Sequence, residues 1–446
     1  MEDNSTKGTP KRRRLAHQTP RIQLPCGLLI KTIQVWIPPI YSSRWPAPNN
    51  EFIDYQWYAL KRASHVNSEW RSVIESFPIL GVYNFHIVSQ NIPLLLDSKL
   101  IVRNLIVEYI FNANLIQLTH RQIHPISEES TLLAVYGMVA LEHLTLRNFH
   151  TPILTGMCSL QHLQSLSIDY PCSEIPRVNL ELLTNLPLTA LSLNGVQHID
   201  FDHIKQIRTL TKLTIIQCAS MENVSGLEEL VGLRSLTIRQ CPQFDQLSYV
   251  AKLSSLTFLE VNQCRNAYNW DLTPLSGLLN LTTLNINFFK NTSSILPLRT
   301  LTALVRLSMR DMVNLTDLSP LISLTHLRSL ALGGCLRLSD TSPLAYIPSL
   351  RNLDLYKCSS ITQLDFLSTQ DQQNPRLNKY IPDKTIGTRR LCGELKTLSL
   401  WGCSGITDIS PICSCDALVG LIISGCAGIT DRSPIASLKS LRWLQP

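Results

Sequence analysis

The sequence predicts an α/β fold of stacked repeats, in which a short strand alternates with a short helical segment. The first observation is a pattern, L-x-x-L-x-L-x-x-C, that recurs about every 23 residues along two thirds of the chain. The second is composition: 75 of the 446 residues are leucine and only 16% are charged, where about 25% is usual. A single repeat of this kind cannot bury its own apolar face, so the repeats must stack into one continuous core.

Thirteen leucines mark the starts of the repeats. After each start, two apolar residues alternate with a polar one, which is typical of a short strand with one buried face. Neighbouring starts lie 22–25 residues apart, except for one gap of 45 that contains an inserted segment at about 368–391. This polar segment should project as a loop, which either recognises a partner or is a tolerated insertion. The starts are Leu141, Leu163, Leu188, Leu210, Leu233, Leu256, Leu281, Leu304, Leu327, Leu350, Leu395, Leu418 and Leu441.

The ninth position of the pattern is a cysteine in seven repeats. A thiol at the end of a half-buried strand packs as a small apolar residue, so we expect these cysteines to be buried, reduced and free. Two further cysteines, Cys413 and Cys415, are too few to close a tetrahedral zinc site. The seven repeat cysteines are Cys218, Cys241, Cys264, Cys335, Cys358, Cys403 and Cys426.

The segments that return from one strand to the next share a Ser-Pro pair. Serine is a good helix cap and proline suits the first helical position, so each pair predicts a helical turn or two. The pairs lie within Leu315–Leu321, Leu338–Leu344, Ile406–Ile412 and Ile429–Ile435.

These strands, cysteines and returns resemble the leucine-rich repeat family in its cysteine-containing form, over residues 141–446. The resemblance implies a curved solenoid with a parallel sheet on the concave side and short helices on the convex side. Residues 82–140 are either degenerate repeats or an N-terminal cap. The spacings Val82-x-x-Phe85-x-Ile87 and Val102-x-x-Leu105-x-Val107 have the rhythm of the repeat strands.

The N-terminal third has a different composition. Residues 1–21 carry +4 of the formal net charge of +7 and read as a disordered basic tail, in which Lys11–Arg14 is either a nuclear localisation signal or simply solvated. Residues 22–81 contain two apolar helical stretches on either side of a Pro-rich loop at 38–56. Their motifs resemble the two parts of an F-box, with the loop as an insertion between them. The matching residues are Leu24, Pro25, Leu28, Leu29 and Ile33 in the first part and Leu60, Ala63, Val66 and Trp70 in the second.

The F-box resemblance implies a substrate-recognition adaptor of an SCF-type E3 ubiquitin ligase. The helices would bind a Skp-family linker, which connects to a cullin, and the concave face would hold a protein substrate. The alternative is a leucine-rich repeat scaffold without a ubiquitin link, whose N-terminal helices shield the first repeat. The expected linker-docking residues are Leu24, Pro25, Leu28, Leu29, Ile33, Leu60, Val66 and Trp70.

Between the buried leucines, the strands carry side chains that should face solvent on the concave side. Most are small and polar, as expected of residues that merely form strands. Exposed Arg, Tyr and Trp are different, because these residue types dominate interface energetics. If the insertion loops out, Tyr356 and Trp401 lie on adjacent strands. The predicted substrate-binding residues are Arg239, Glu260, Arg306, Arg310, Asp354, Tyr356 and Trp401.

Other function classes receive little support from the sequence. No catalytic or phosphate-binding motif occurs, so we expect neither an enzyme nor a cofactor. The positive charge sits mostly in the tail, which argues against nucleic-acid binding, and no apolar run is long enough for a membrane span. Without an apparent secretory signal, the expected location is the cytoplasm, the nucleus or both. The strand that begins at Leu441 has no further repeat after it, so self-association through this end is a further expectation.

Overall fold

The computed structural model describes the strands Asn84–Val88 and Asn104–Glu108, and then residues 132–133, 135–147, 149, 156–170, 178–264, 270–367 and 393–446. All of these belong to one compact unit, Glu75–Pro446. The basic tail, both F-box-like stretches with their docking residues, the loop at 38–56 and the insertion at about 368–391 lie outside the described residues.

Fifteen of the described strands form one parallel sheet. Thirteen of them begin two residues after a predicted repeat start, because there the chain turns from the buried leucine into the alternating segment. The strands are β1 (Asn84–Val88), β2 (Asn104–Glu108), β3 (His143–Arg147), β4 (Ser165–Asp169), β5 (Ala190–Asn194), β7 (Lys212–Ile216), β9 (Ser235–Arg239), β10 (Phe258–Asn262), β11 (Thr283–Asn285), β12 (Arg306–Ser308), β13 (Ser329–Ala331), β14 (Asn352–Asp354), β15 (Thr397–Ser399), β16 (Gly420–Ile422) and β17 (Trp443–Gln445).

Equivalent residues of successive repeats face each other across this sheet. Leu330 pairs with Leu353, which in turn pairs with Leu398, although the last two are 45 residues apart in sequence. The insertion therefore leaves the pairing of β14 with β15 intact. At the N-terminal side, Asn84 pairs with Asn104 and Asn104 with His143, so β1 and β2 continue the same sheet.

One face of the sheet packs against a core of leucines. Within a single repeat, Leu315, Leu318, Leu321 and Leu324 are all fully buried, and the same spacing recurs along the stack. Burying each leucine contributes about 1.5–3 kcal/mol, so the stack gains apolar stabilisation at regular intervals. The seven repeat cysteines are also buried, as predicted. For example, the Cys358 thiol donates to the carbonyl oxygen of Leu332 in the preceding repeat, at 3.2 Å.

The return segments contain the expected helical turns, which are 3-10 helices of three to six residues. The segment before β7 also contains a short α-helix, α1 (Phe201–Ile204). The 3-10 helices are Met157–Ser159, Leu180–Leu183, Val224–Glu229, Leu247–Val250, Thr273–Gly277, Leu296–Thr300, Ser319–Ser323, Ser342–Tyr346, Asp365–Leu367, Ser410–Ser414 and Ser433–Ser437.

The predicted serine caps were wrong, because an aspartate takes that role. The Asp317 carboxylate accepts hydrogen bonds from the Ser319 backbone N–H at 2.8 Å and from the Ser319 hydroxyl at 2.9 Å. Ser319 is the first residue of its 3-10 helix and Pro320 the second. Asp408 makes the same pair of contacts three repeats further on. An Asx turn thus begins each Ser-Pro return.

Two returns are linked by a second, smaller sheet. It pairs β6 (His198–Asp200) with β8 (Ser220–Glu222) in parallel. The Asp200 carboxylate accepts from the Asp202 backbone N–H at 2.9 Å and so begins α1. A parallel sheet in register, a leucine core and short 3-10 returns together make the described part of the chain a leucine-rich repeat solenoid.

Candidate interaction site on the open face of the sheet

The sheet face opposite the core is here called the open face, and it corresponds to the predicted concave side. In each repeat the third, fifth and seventh residues of the pattern lie on it. In the repeat that contains β13, for instance, these are Ser329, Ala331 and Gly333. Small residues of this kind cover much of the face, so large or charged side chains stand out against them.

Two aromatic side chains meet where β14 pairs with β15. Tyr356 and Trp401 each follow their strand by two residues, and the register places them side by side. Their ring centroids are 6.2 Å apart with 35° between the planes, which lies within the range of favourable aromatic pairs. Trp401 keeps 40% of its surface exposed. The two residues thus lie on adjacent strands, as expected, and the pair presents an apolar surface to solvent.

A basic side chain of the protein lies against each of the two rings. The Arg310 guanidinium lies 5.7 Å from the centroid of Tyr356, and the Lys357 ammonium lies 5.0 Å from that of Trp401. Arg310 also donates through Nη2 to Asp354 Oδ2 at 2.6 Å, reaching across β13 to do so. Cation–π contacts and this charge-assisted hydrogen bond restrain the basic side chains at the edge of the aromatic pair.

The contact across β13 depends on the absence of side chains there. A Cβ atom on Gly333 would lie 1.7 Å from Cδ1 of Tyr356, and one on Gly334 would lie 2.3 Å from Oδ1 of Asp311. Gly334 also has φ +78°, which L side chains adopt at a cost. These two glycines leave a notch into which Tyr356 lies from one side and Asp311 from the other.

The phenol of Tyr356 is held in its neutral form. Partial burial and the neighbouring Asp311 carboxylate raise its pKa, although Arg310 acts in the opposite direction. The hydroxyl donates to Asp311 Oδ2 at 3.5 Å, a long hydrogen bond. Tyr356 is thus fixed at both its ring and its hydroxyl, which orients it before any ligand arrives.

The aromatic pair lines a shallow cleft of about 340 Å³. This volume is at the lower end of the range of small-ligand pockets, about 300–1,000 Å³, and suits an inserted side chain of a partner. Sequence reasoning missed Ile422 and Gln445, because each is a single residue in a column without a motif. The available signal was Ile422, a large apolar residue in a column of small or polar ones. The lining residues are Arg310, Asp354, Tyr356, Ser399, Trp401, Ile422 and Gln445.

A separate polar network lies on the open face at β9–β11. Arg239 forms a bidentate contact with Glu260 at 2.8 and 2.6 Å, and Asn262 donates to the same carboxylate. The Asn262 side chain then accepts from the Asn287 backbone N–H at 2.9 Å. The expectation that Glu260 faces solvent was wrong: its side chain is only 6% exposed, because these neighbours cover it.

The predicted substrate-binding residues thus fall into two groups. Arg310, Asp354, Tyr356 and Trp401 form one connected site, whereas Arg239 and Glu260 belong to the network on β9–β11. Arg306 is exposed on β12, on the side of the first group. Their role in binding stays a prediction, as does self-association through β17, where Trp443 and Leu444 are exposed.

Two negative findings apply to the described part of the chain. No group of three or more His, Cys, Asp or Glu side chains there is placed to hold a metal ion. Within the same residues, no helix has the length and apolar character needed to cross a membrane.

Comparison with known proteins identifies no family by sequence. No protein-family model matches the chain, and no curated protein matches it. Among solved structures, the internalin InlF of Listeria monocytogenes str. 4b F2365 is 21% identical, with a TM-score of 0.49 over 69% of this chain and 87% of that one.

Two further solved structures show similarity at the same level. The leucine-rich repeat protein LIC12759 of Leptospira interrogans is 19% identical, with a TM-score of 0.49 over 70% of this chain and 79% of that one. The functional domain of InlJ from Listeria monocytogenes, which includes a cysteine ladder, is 15% identical, with a TM-score of 0.43 over 69% and 63%. The assignment of this chain to the leucine-rich repeat fold rests on its own strand register, buried leucines and 3-10 returns.

Proposed function

We propose that this protein is a non-enzymatic interaction scaffold that binds a protein partner on the open face of its sheet. The observation that carries the proposal is the exposed pair of Tyr356 and Trp401, restrained by Arg310 and Lys357 beside a cleft. Rigid aromatic anchors next to arginine are the usual composition of interface hot spots. Because the rings are already positioned, little conformational entropy is lost when a partner binds.

The test compares partner capture by the wild type with capture by a Tyr356→Ala, Trp401→Ala double variant. We expect the variant to lose more than about 2 kcal/mol of binding free energy, or roughly 30-fold in affinity. A matched control is the double variant Leu279→Ala, Leu296→Ala, which removes two exposed apolar side chains from outside the open face. Partners retained equally by both double variants would contradict the proposal.

A finer proposal is that the scaffold serves as the substrate adaptor of an SCF-type ubiquitin ligase in the cytoplasm or nucleus. Its support is the F-box-like sequence pattern, which includes Leu28 and Trp70. A Skp-family linker and a cullin should then co-purify with the full chain, and Leu28→Asp or Trp70→Ala should abolish this while leaving the repeats folded. Absence of both proteins from wild-type preparations would reject the adaptor role and leave the scaffold proposal standing.

A further inference from the structure

Arginines of the protein itself already pair with several carboxylates on the open face. Three carboxylates of β4, β10 and β14 lie within ion-pair distance of an arginine, so the negative charge of these three is compensated. The described pairs are Arg147–Asp169 at 3.9 Å, Arg239–Glu260 at 2.6 Å and Arg310–Asp354 at 2.6 Å.

Basic side chains remain around the cleft after these pairs are formed. Arg306 lies on β12, and Lys357 follows β14 and contacts Trp401. Arg328 and Lys396 immediately precede β13 and β15, at the edge of the sheet where the strands begin. Among the described residues, none of these four has an acidic partner within 4.0 Å. The Asp311 carboxylate beside Tyr356 has no cation within 4.0 Å among the described residues and offsets one of these four charges, so the surroundings of the cleft are left with excess positive charge.

We propose that the open face from β12 to β16 binds an acidic protein segment, which inserts an apolar side chain into the cleft between Trp401 and Ile422. This inference rests on the proposed function and names the chemistry of its partner. The excess positive charge attracts the segment and sets its orientation. The apolar side chain supplies burial at the aromatic pair, where water is most easily displaced.

A basic segment fits this site poorly. The Asp354 carboxylate is bound to Arg310 at 2.6 Å, and the Asp311 carboxylate accepts from the Tyr356 hydroxyl. The Arg310 and Lys357 side chains lie against the rings that a cationic ligand would use for cation–π contacts. A cationic side chain would have to displace Arg310 and would face Lys357 at close range.

The experiment uses the full chain and a fluorescein-labelled probe peptide with one central tryptophan flanked by glutamates. Two comparison peptides replace the glutamates by lysines or the tryptophan by glycine. Binding is followed by fluorescence anisotropy at low and high salt. The variants are Lys357→Glu, next to Trp401, and Arg306→Glu, on β12, with Lys212→Glu as a control of equal charge on the same open face, at β7.

The glutamate peptide should bind at least about tenfold more tightly than the lysine peptide, and this preference should shrink as salt screens the charges. Lys357→Glu and Arg306→Glu should each weaken it by about tenfold and Lys212→Glu by less than about threefold. Equal losses in all three variants would show diffuse attraction to a basic protein and overturn the inference, as would tighter binding of the lysine peptide.

The glycine peptide separates the two parts of the proposal. The wild type should bind the glycine peptide more weakly than the tryptophan peptide, whereas a Trp401→Ala variant should bind the two peptides with equal affinity. If the wild type also bound both peptides with equal affinity, insertion into the cleft would be refuted. If no acidic peptide binds while partner capture still depends on Tyr356 and Trp401, only the partner chemistry is wrong. If partner capture is independent of both rings, the proposed function itself fails.

Discussion

Gly333→Ala should disassemble the aromatic site without altering a residue that touches the partner. The new Cβ would lie 1.7 Å from Cδ1 of Tyr356, far inside contact distance, so the ring must leave its position. The lost pair with Trp401 is worth about 0.5–1.5 kcal/mol and the lost contact with Arg310 about 0.5–1 kcal/mol. Replacing glycine by alanine also stabilises the folded protein by about 0.4–1 kcal/mol, because it lowers the conformational entropy of the unfolded chain. The net destabilisation is therefore about 1 kcal/mol.

The assay combines urea denaturation with amide hydrogen exchange at β13 and β14, because long repeat arrays can unfold segment by segment. Gly277→Ala is the matched control: a Cβ there meets no atom within 4 Å, so this variant should be neutral or stabilised by up to about 1 kcal/mol.

A double-mutant cycle tests whether the clash with Tyr356 causes the destabilisation by Gly333→Ala. With Tyr356→Ala in the background there is no ring to displace, so Gly333→Ala should then cost less than about 0.5 kcal/mol. If Gly333→Ala destabilised the protein equally with and without the tyrosine ring, the notch would not be what positions Tyr356.

Three further predictions concern the scaffold that holds the site. Asp408→Ala should lower the free energy of unfolding by about 1 kcal/mol, as loss of a cap does, measured by urea denaturation; no change would show that its contacts at 2.7 and 2.9 Å are dispensable. Arg239→Ala should cost about 1–3 kcal/mol, because it leaves the covered Glu260 carboxylate without its cation, whereas Arg147→Ala, at an exposed pair, should cost less than about 0.5 kcal/mol. Burial raises the pKa of Cys358 from 9.0 to about 12, so the protonated thiol favours the folded state: this contribution is complete below pH 9 and is lost as the pH rises toward 12. Stability should fall more steeply over that window in the wild type than in Cys358→Ala, and parallel curves would contradict the burial argument.

The sheet was predictable from sequence because its period is imposed by burial. The leucines at Leu327 and Leu350 determine where β13 and β14 begin, since a shift by one residue would move every apolar side chain to the open face. The rhythm at Phe85 and Leu105 predicted β1 and β2 by the same logic. Adjacency of Tyr356 and Trp401 followed from the register alone.

Features that depend on contacts between repeats could not be read from one repeat. Glu260 occupies a column that usually faces solvent, but Asn262 on its own strand and Arg239 on the neighbouring strand bind its carboxylate. The need for glycine at position 333 likewise follows only from its contact with Tyr356, which lies 23 residues later in the sequence. The Asp317 cap could not be told from a serine cap by sequence, because aspartate and serine cap helices about equally well and both occur before the proline.

The central claim is that a protein partner lies on the open face at β14–β15, and site-specific photo-crosslinking tests it most directly. A photoreactive amino acid is placed at Ser399, in the lining of the cleft, or at Leu296, an exposed residue of a return segment. Irradiation of cells that make the full chain should yield a discrete heavier adduct from position 399 and none from position 296, and Trp401→Ala should remove that adduct. Adducts from position 296 alone, or an adduct at 399 that persists without Trp401, would contradict the account.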